Sequence, residues 1–298
     1  MAAPAGATDP VEVALPPRFD FPWVLRFLAA RTVPALESVA DGQYVRSVRL
    51  NGRPVTITLR ETAAGDGRGR VLLVSAVPKL SPQALAAAVT RMLDLDANLA
   101  AFERVVRRDS ILRSVVRPRS GIRLPQLLDP FEGLMRAILG QQVSVAGAST
   151  MTDRLVRLLT SATVDRGFLA FPTPADVADA GAERLRTIGL TRVKAATIAG
   201  VARQIADGAL DLDALRAMPA DEAQAALEGL RGIGPWTASY VRMRALGDRD
   251  AFPAADLGVI KALAAVGVER RAIATVAEGW RPWRGYATLH LWASLTPA

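Results

Sequence analysis

The run Leu230-Arg231-Gly232-Ile233-Gly234-Pro235-Trp236-Thr237-Ala238 constrains this chain more than any other stretch of it. Two glycines flank one apolar residue, which lets the backbone turn through positive φ and bring bare N–H groups up to an anion. Pro235 follows at a helix-opening position, where a missing N–H costs nothing and a fixed φ suits the first turn. The combination reads as a hairpin feeding a helix N-terminus, which is a seat for a phosphate. Glycine pairs are common, but L-x-G-x-G-x-x-T-A followed eighteen residues on by Asp256, itself opening a helix, is far more restrictive.

At 298 residues and 50% apolar content, the chain is long enough for two or three compact units with real cores. It has no cysteine and a single histidine, His290, which excludes disulfides, iron–sulfur clusters and Cys/His zinc sites. Chemistry must therefore rest on carboxylates, aromatics and backbone, with no cofactor and no metal centre of that kind expected. The net charge of +8 suits a polyanionic partner, because neutralised phosphates release counterions. The preference for arginine, against Lys79, Lys194 and Lys261 alone, is equally explained by a general Arg/Ala bias. Met1 to Pro10 carries neither a basic n-region nor an apolar h-region, and the longest apolar stretch, Val71 to Val77, is too short to span a bilayer. A cytoplasmic protein with no membrane partner is the expectation.

Apolar spacing predicts a helix over Pro22 to Arg31, after which the period becomes two. Tyr44 to Leu50, an Asn51-Gly52 turn, Val55 to Arg60, a turn at Ala64 to Gly69 and Val71 to Val77 read as a small antiparallel sheet. A helix follows over Pro82 to about Leu95, and no further strand is expected after it. The reading is an α+β N-terminal domain over residues 10–95, then a mostly helical body punctuated by proline and glycine. Leu185-Arg186-Thr187-Ile188-Gly189-Leu190 echoes the hairpin without its first glycine, so it is expected to be scaffold. The arginines from Arg104 to Arg123 favour a solvated helix face over a stripe that tracks DNA.

Trp236 and Tyr240 are four apart and share a helix face, with Met243 a turn on. Such a stripe is more often core than site, but Trp236, Trp280, Trp283 and Trp292, four of the five tryptophans, lie in the last 63 residues with the hairpin and Asp256. An aromatic cleft beside a phosphate seat suits a protein that extrudes a base from a duplex, a step costing a few kcal/mol. Stacking returns about 1 to 3 kcal/mol, with about 2 more for a cationic base, which favours alkylated purines. Asp256 reads first as an N-cap of the helix from Leu257. A carboxylate there can also stabilise an oxocarbenium-like transition state or orient water. Gln141 and Gln142 sit at a helix junction, as caps or as a side chain filling the hole left by an extruded base.

These segments resemble the DNA-3-methyladenine glycosylase II family of helix-hairpin-helix glycosylases, the alkylation-repair type. The resemblance is carried by FPWVLRFLAARTV from Phe21, RAILGQQVSVAGA from Arg136, LRGIGPWTASY from Leu230, FPAADLGVIK from Phe252 and WRPWRGYATLHLW from Trp280. It implies a TATA-binding-protein-like N-terminal domain and two helical subdomains around a base cleft. One subdomain would cover 118–247, with the hairpin at 230–238; the other would combine 96–117 with 248–298 and carry Asp256. The resemblance makes Asp256 catalytic and Trp236, Tyr240 and Trp292 the base pocket. It puts a DNA phosphate on the backbone from Gly232 and Gly234 through Trp236 and Thr237, with a monovalent cation on hairpin carbonyls. It puts the duplex wedge at Gln142, where some relatives have leucine. The implied partner is double-stranded DNA with alkylated bases, acted on by a monomer.

Strand-cutting relatives such as endonuclease III carry a lysine two residues after the second hairpin glycine, and here that position is Trp236. The expectation is therefore a monofunctional glycosylase that leaves an abasic site. Two alternatives stay open on the sequence: a non-catalytic helix-hairpin-helix DNA-binding protein, and a glycosylase for deaminated or neutral bases such as hypoxanthine.

Overall fold

The computed structural model describes residues 9–65, 69–119 and 121–295. Residues 66–68 of the expected Ala64 to Gly69 turn, and residues 1–8 of the N-terminal stretch, lie outside the described residues. An antiparallel sheet of β1 (Val11–Ala14), β2 (Glu37–Ala40), β3 (Gln43–Leu50), β4 (Arg53–Ala63) and β5 (Arg70–Val77) has the order β1-β5-β4-β3-β2. Asn51 and Gly52 both take positive φ (51° and 75°), which closes the two-residue turn with Leu50 opposite Arg53. The two edge strands, β1 and β2, were not expected; at four residues each they are too short to show a period.

Helix α1 (Phe21–Ala29) opens on the Asp20 cap and buries Phe21, Trp23, Val24, Phe27 and Leu28 against the sheet domain. Helices α2 (Pro82–Met92), α3 (Leu99–Arg108) and α4 (Ser110–Val116) join the same core. The helical body then runs through α5 (Pro130–Leu139), α6 (Val145–Leu159), a short β6–β7 hairpin (Thr163–Asp165, Phe168–Leu169) and α7 (Pro174–Arg186), which kinks at Gly181. It continues with α8 (Arg192–Ala206), α9 (Leu212–Ala217), α10 (Ala220–Glu228) and α11 (Pro235–Arg244), and ends with α12 (Leu257–Ala264), α13 (Ile273–Glu278) and α14 (Arg284–Ser294). The β6–β7 hairpin corrects the expectation of no strand beyond the sheet. Its turn uses positive φ at Arg166 and Gly167, and its strands of three and two residues leave no alternation to read.

Two hydrophobic cores result. One joins the sheet and α1 to α4 with α12, α13 and α14; the other gathers α5 to α11 around Val33 and Leu36. Tyr240 packs against both, so α11 lies on their seam. A buried ionic cluster bolts the sheet to α5. Arg46 on β3 donates to both oxygens of Glu132 at 2.7 Å, and Arg136 reaches Glu37 at 3.0 Å and Glu132 at 3.1 Å. Burial pushes the Glu37 carboxyl up, but Arg136, Arg46 and the Tyr44 hydroxyl outweigh it and hold the group below its ordinary value.

Sequence clusters that had suggested function resolve here into structure. Arg123 is buried and donates to the carbonyls of Asp94 (2.6 Å) and Ala97 (3.1 Å), while Arg104, Arg107, Arg108 and Arg117 are exposed. Trp280 donates to Asp109 at 2.9 Å from full burial, and Trp283 packs on Phe102 and Tyr286, so both are core. Met243 is core as well. His290 stacks on Phe102 (5.5 Å), and burial pushes its pKa down to about 3.

Candidate nucleobase cleft and phosphate seat

Gly232 takes φ 86°, and a β-carbon there would stand 2.2 Å from Thr197 Oγ1, so the first hairpin glycine is required twice over. The second glycine does not make the turn. Gly234 is extended at φ −102°, ψ 178°, and a β-carbon there would meet nothing within 4 Å. It is the N-cap of α11, with no side-chain cap, and what it leaves open is space in front of the helix end. Pro235 fills the first helical position, and the N–H groups of Gly234, Trp236 and Thr237 have no acceptor among the described residues. Free N–H groups at a dipole's positive end form an anion site.

Beside that helix end lies a cleft of about 1180 Å³ whose lining includes Gln142, Gly234, Trp236, Thr237, Tyr240, Asp256 and Trp292. Trp236 stacks on Tyr240 (5.4 Å, 27°), as the i, i+4 spacing requires, and Tyr240 meets Trp292 from α14 at 6.2 Å. Asp256 has the N-cap geometry expected of it: Oδ1 accepts from Gly258 N at 2.8 Å and Val259 N at 3.1 Å. The same oxygen accepts from Trp292 Nε1 at 2.8 Å, and Oδ2 accepts from Trp236 Nε1 at 3.0 Å. Among the described residues no cation pairs with it, and its side chain is half-buried at the cleft wall. The tryptophans therefore do more than wall the cleft; they fix the carboxylate's orientation.

Gln142 sits at the exposed tip of the α5–α6 turn with φ 58°, flanked by Val143 and Val145, which are 44% and 48% exposed. Its neighbour turns inward. Gln141 Nε2 donates to Gly232 O at 3.0 Å and Thr237 Oγ1 at 2.9 Å, tying the turn to the hairpin. Lys194 Nζ donates to Gln141 O at 2.8 Å and Leu139 O at 3.2 Å. The carbonyls of Arg231 and Ile233 accept no hydrogen bond from the described residues, so hairpin oxygens are available to a monovalent cation. Lys261, exposed, lies on the cleft rim.

Three arginines that line the cleft, Arg31, Arg136 and Arg244, were given no role in the sequence reading. Arg244 lies four residues beyond Tyr240 on the face that begins at Trp236, a spacing that could have found it. Arg31, just past the end of α1, gave no comparable signal.

A hairpin delivering a helix N-terminus to an aromatic cleft with one pinned carboxylate defines the helix-hairpin-helix class of base-excision proteins. The chain belongs to the HhH-GPD superfamily of base excision DNA repair proteins, whose family model matches residues 135–284, and the AlkA N-terminal domain matches residues 11–129. It is 38% identical over 302 residues to a probable bifunctional transcriptional activator/DNA repair enzyme AlkA of Mycobacterium tuberculosis; the match covers 96% of this chain but 57% of that protein's length. It is 34% identical to DNA-3-methyladenine glycosylase 2 of Escherichia coli, with 93% of this chain and 94% of the relative covered. The solved structure of a 3-methyladenine DNA-glycosylase from Archaeoglobus fulgidus superposes with a TM-score of 0.82 at 25% identity, covering 95% of this chain and 97% of that one. No helix among the described residues is long and apolar enough to cross a membrane.

Proposed function

We propose that the chain is a monofunctional DNA glycosylase of base excision repair. It extrudes an alkylated, cationic purine such as 3-methyladenine from duplex DNA into the cleft and hydrolyses the N-glycosidic bond, leaving an abasic site. The reading rests above all on Asp256, held by four N–H donors between two indoles and beside a helix end built for a phosphate.

The backbone of Gly234, Trp236 and Thr237 holds a DNA phosphate, with Gly232 supplying the turn; the Arg231 and Ile233 carbonyls would hold a monovalent cation, which would add positive charge near it. Gln142, presented by a turn that Gln141 and Lys194 tie down, enters the duplex where the base has left. The base stacks on Trp236, Tyr240 and Trp292, and about 1 to 3 kcal/mol of stacking, plus about 2 of cation–π attraction, offsets the few kcal/mol of extrusion. The C1′–N bond then breaks with its electron pair on the base, which neutralises a cationic purine, so no acid is needed to protonate the leaving group. The sugar turns positive as the bond opens, and the Asp256 carboxylate stabilises that charge while water adds to C1′ and gives up its proton to the solvent. Trp236 occupies the position where strand-cutting relatives hold lysine, and Lys194 is engaged with two carbonyls.

The deciding experiment incubates the protein with methylated duplex DNA and identifies free bases by chromatography. Free 3-methyladenine should appear, with strands breaking only after alkali, and Asp256→Asn should abolish release while DNA affinity is kept. Failure to release any base would leave a DNA-binding protein. Strand scission without alkali, or a borohydride-trapped adduct on Lys261 forming as fast as base release, would overturn the monofunctional assignment.

A further inference from the structure

We propose that Asp94, in the turn after α2, is a positioning residue for Asp256: it fixes the two elements whose far ends meet in the Asp256–Trp292 hydrogen bond. The proposal rests on the reading of Asp256 given above and gives the sheet domain a part in base release.

Asp94 is 2% exposed and takes φ 51°, a conformation that its surroundings must hold in place. Arg249 Nε donates to both of its carboxylate oxygens at 3.1 Å and Nη2 to Oδ1 at 2.7 Å, and the Tyr286 hydroxyl donates to Oδ2 at 2.7 Å. Arg123 donates to the carbonyl of the same residue at 2.6 Å. Arg249 belongs to the segment between α11 and α12 that leads to Asp256, and Tyr286 belongs to α14, which carries Trp292. A closed ring results: from Asp94 through Arg249 to Asp256, across to Trp292 Nε1 at 2.8 Å, and back along α14 to Tyr286. Six residues of helix set Trp292 about 9 Å from Tyr286 and about 120° round the axis, so one face of α14 meets Asp94 and another meets the cleft.

Within the ring, the segment is already clipped to the start of α14. A β-carbon at Gly285 would stand 2.8 Å from Arg249 O, and Asp250 accepts from Arg284 at 2.8 Å and Arg281 at 2.7 Å. Those contacts do not hold segment and helix against the rest of the protein; Asp94 does, with a buried charge. The second partner of Arg249, Asp96 at 2.8 Å, is 70% exposed and screened by water, so it adds little. Neutralising Asp94 strips Arg249 of its buried partner and leaves segment and helix free to shift. Asp256 stands at the end of that segment, and a displacement of about 1 Å in a reacting group costs about 100-fold in rate.

The test uses Asp94→Asn, which keeps the shape and an acceptor and removes the charge, with Arg249→Met, Arg249→Lys and Asp96→Asn beside it. Three quantities are measured well below the unfolding temperature: single-turnover release of 3-methyladenine from duplex DNA, duplex affinity, and the indole N–H resonances of nitrogen-15-labelled protein, assigned with Trp→Phe variants. Asp94→Asn and Arg249→Met should each slow release by about 10- to 100-fold with affinity changed less than about threefold. The Trp292 and Trp236 indole resonances, which report the bonds to Asp256, should move in both. Arg249→Lys should recover most of the rate, and Asp96→Asn should match the wild type. A lowered urea midpoint in Asp94→Asn with release and both indole resonances unchanged would overturn the proposal, because a merely structural residue would behave that way. If Asp94→Asn does not fold, the comparison of Arg249→Met with Arg249→Lys decides. Wild-type protein that releases no base defeats the glycosylase reading, and the indole resonances then decide alone whether Asp94 sets the Asp256–Trp292 geometry.

Discussion

Trp292 donates its indole N–H to Asp256 Oδ1 at 2.8 Å while its ring lies over Gly258, where a β-carbon would come within 2.8 Å of Trp292 Cδ1. The aromatic wall and the carboxylate are thus tied directly to one another. Trp292→Phe keeps a ring for stacking and removes the donor, and a hydrogen bond to a charged group is worth about 1.5 to 3 kcal/mol. Base release in a single turnover should slow by about 10- to 100-fold, with duplex affinity changed less than threefold. An unchanged rate would mean that the two backbone donors and the Trp236 indole hold Asp256 without help from Trp292.

The two hairpin glycines should fail in different ways. Gly232→Ala forces a β-carbon onto Thr197 at positive φ, a strain of about 1 to 2 kcal/mol before any clash, so it should lower the urea midpoint. Gly234→Ala meets no protein atom and keeps an allowed backbone conformation, so stability should hardly move. Its methyl group would instead stand in front of the α11 N-terminus and weaken DNA binding. Fluorescence anisotropy at two salt concentrations, run beside chemical denaturation, separates the two outcomes.

Much of this site was legible because it rests on local rules. Pro235 opens α11, Asp256 caps α12, and the four-residue spacing of Trp236 and Tyr240 stacks their rings. What long-range packing decides was not legible. Trp280 and Trp283 have the composition of a cleft wall but turn into the core, where Asp109 and Phe102 receive them. Arg31 joins the cleft across more than two hundred residues of chain, and no spacing announces that. In the sheet, β3, β4 and β5 are long enough to alternate visibly, whereas β1, β2, β6 and β7 take their conformation from neighbours. In the hairpin Gly232 makes the turn and Gly234 only stays out of the way, a division that the glycine pair alone does not announce.

Lys194 ties down the turn that carries Gln142, the proposed wedge. Burial lowers its pKa, and its ammonium group is held by the carbonyls of Leu139 and Gln141 at the end of α5. Lys194→Met should loosen the Gln142 turn without touching the cleft chemistry. Release from a bulged or mismatched site, where extrusion is already easy, should be nearly normal, while release from a fully paired duplex should fall by roughly tenfold. Equal rates on both substrates would show that the turn holds its shape without the lysine.

Asp129, the N-cap of α5, accepts from Phe131 N at 2.9 Å, yet burial and the neighbouring Glu132 raise its pKa to about 6. A carboxyl group whose folded value lies above its unfolded value of 3.8 binds protons more readily in the native state. Its contribution to stability is therefore fully present below about pH 4, shrinks as pH rises to about 6 and is flat beyond that. Asn caps helices as well as Asp and carries no charge, so Asp129→Asn should match the wild type near pH 4 and exceed it increasingly up to pH 6. Urea midpoints at half-unit steps from pH 4 to pH 8 would trace the difference. A variant that loses stability at pH 7.5 would show that the carboxylate gains more from Arg46 and its backbone donors than burial takes away.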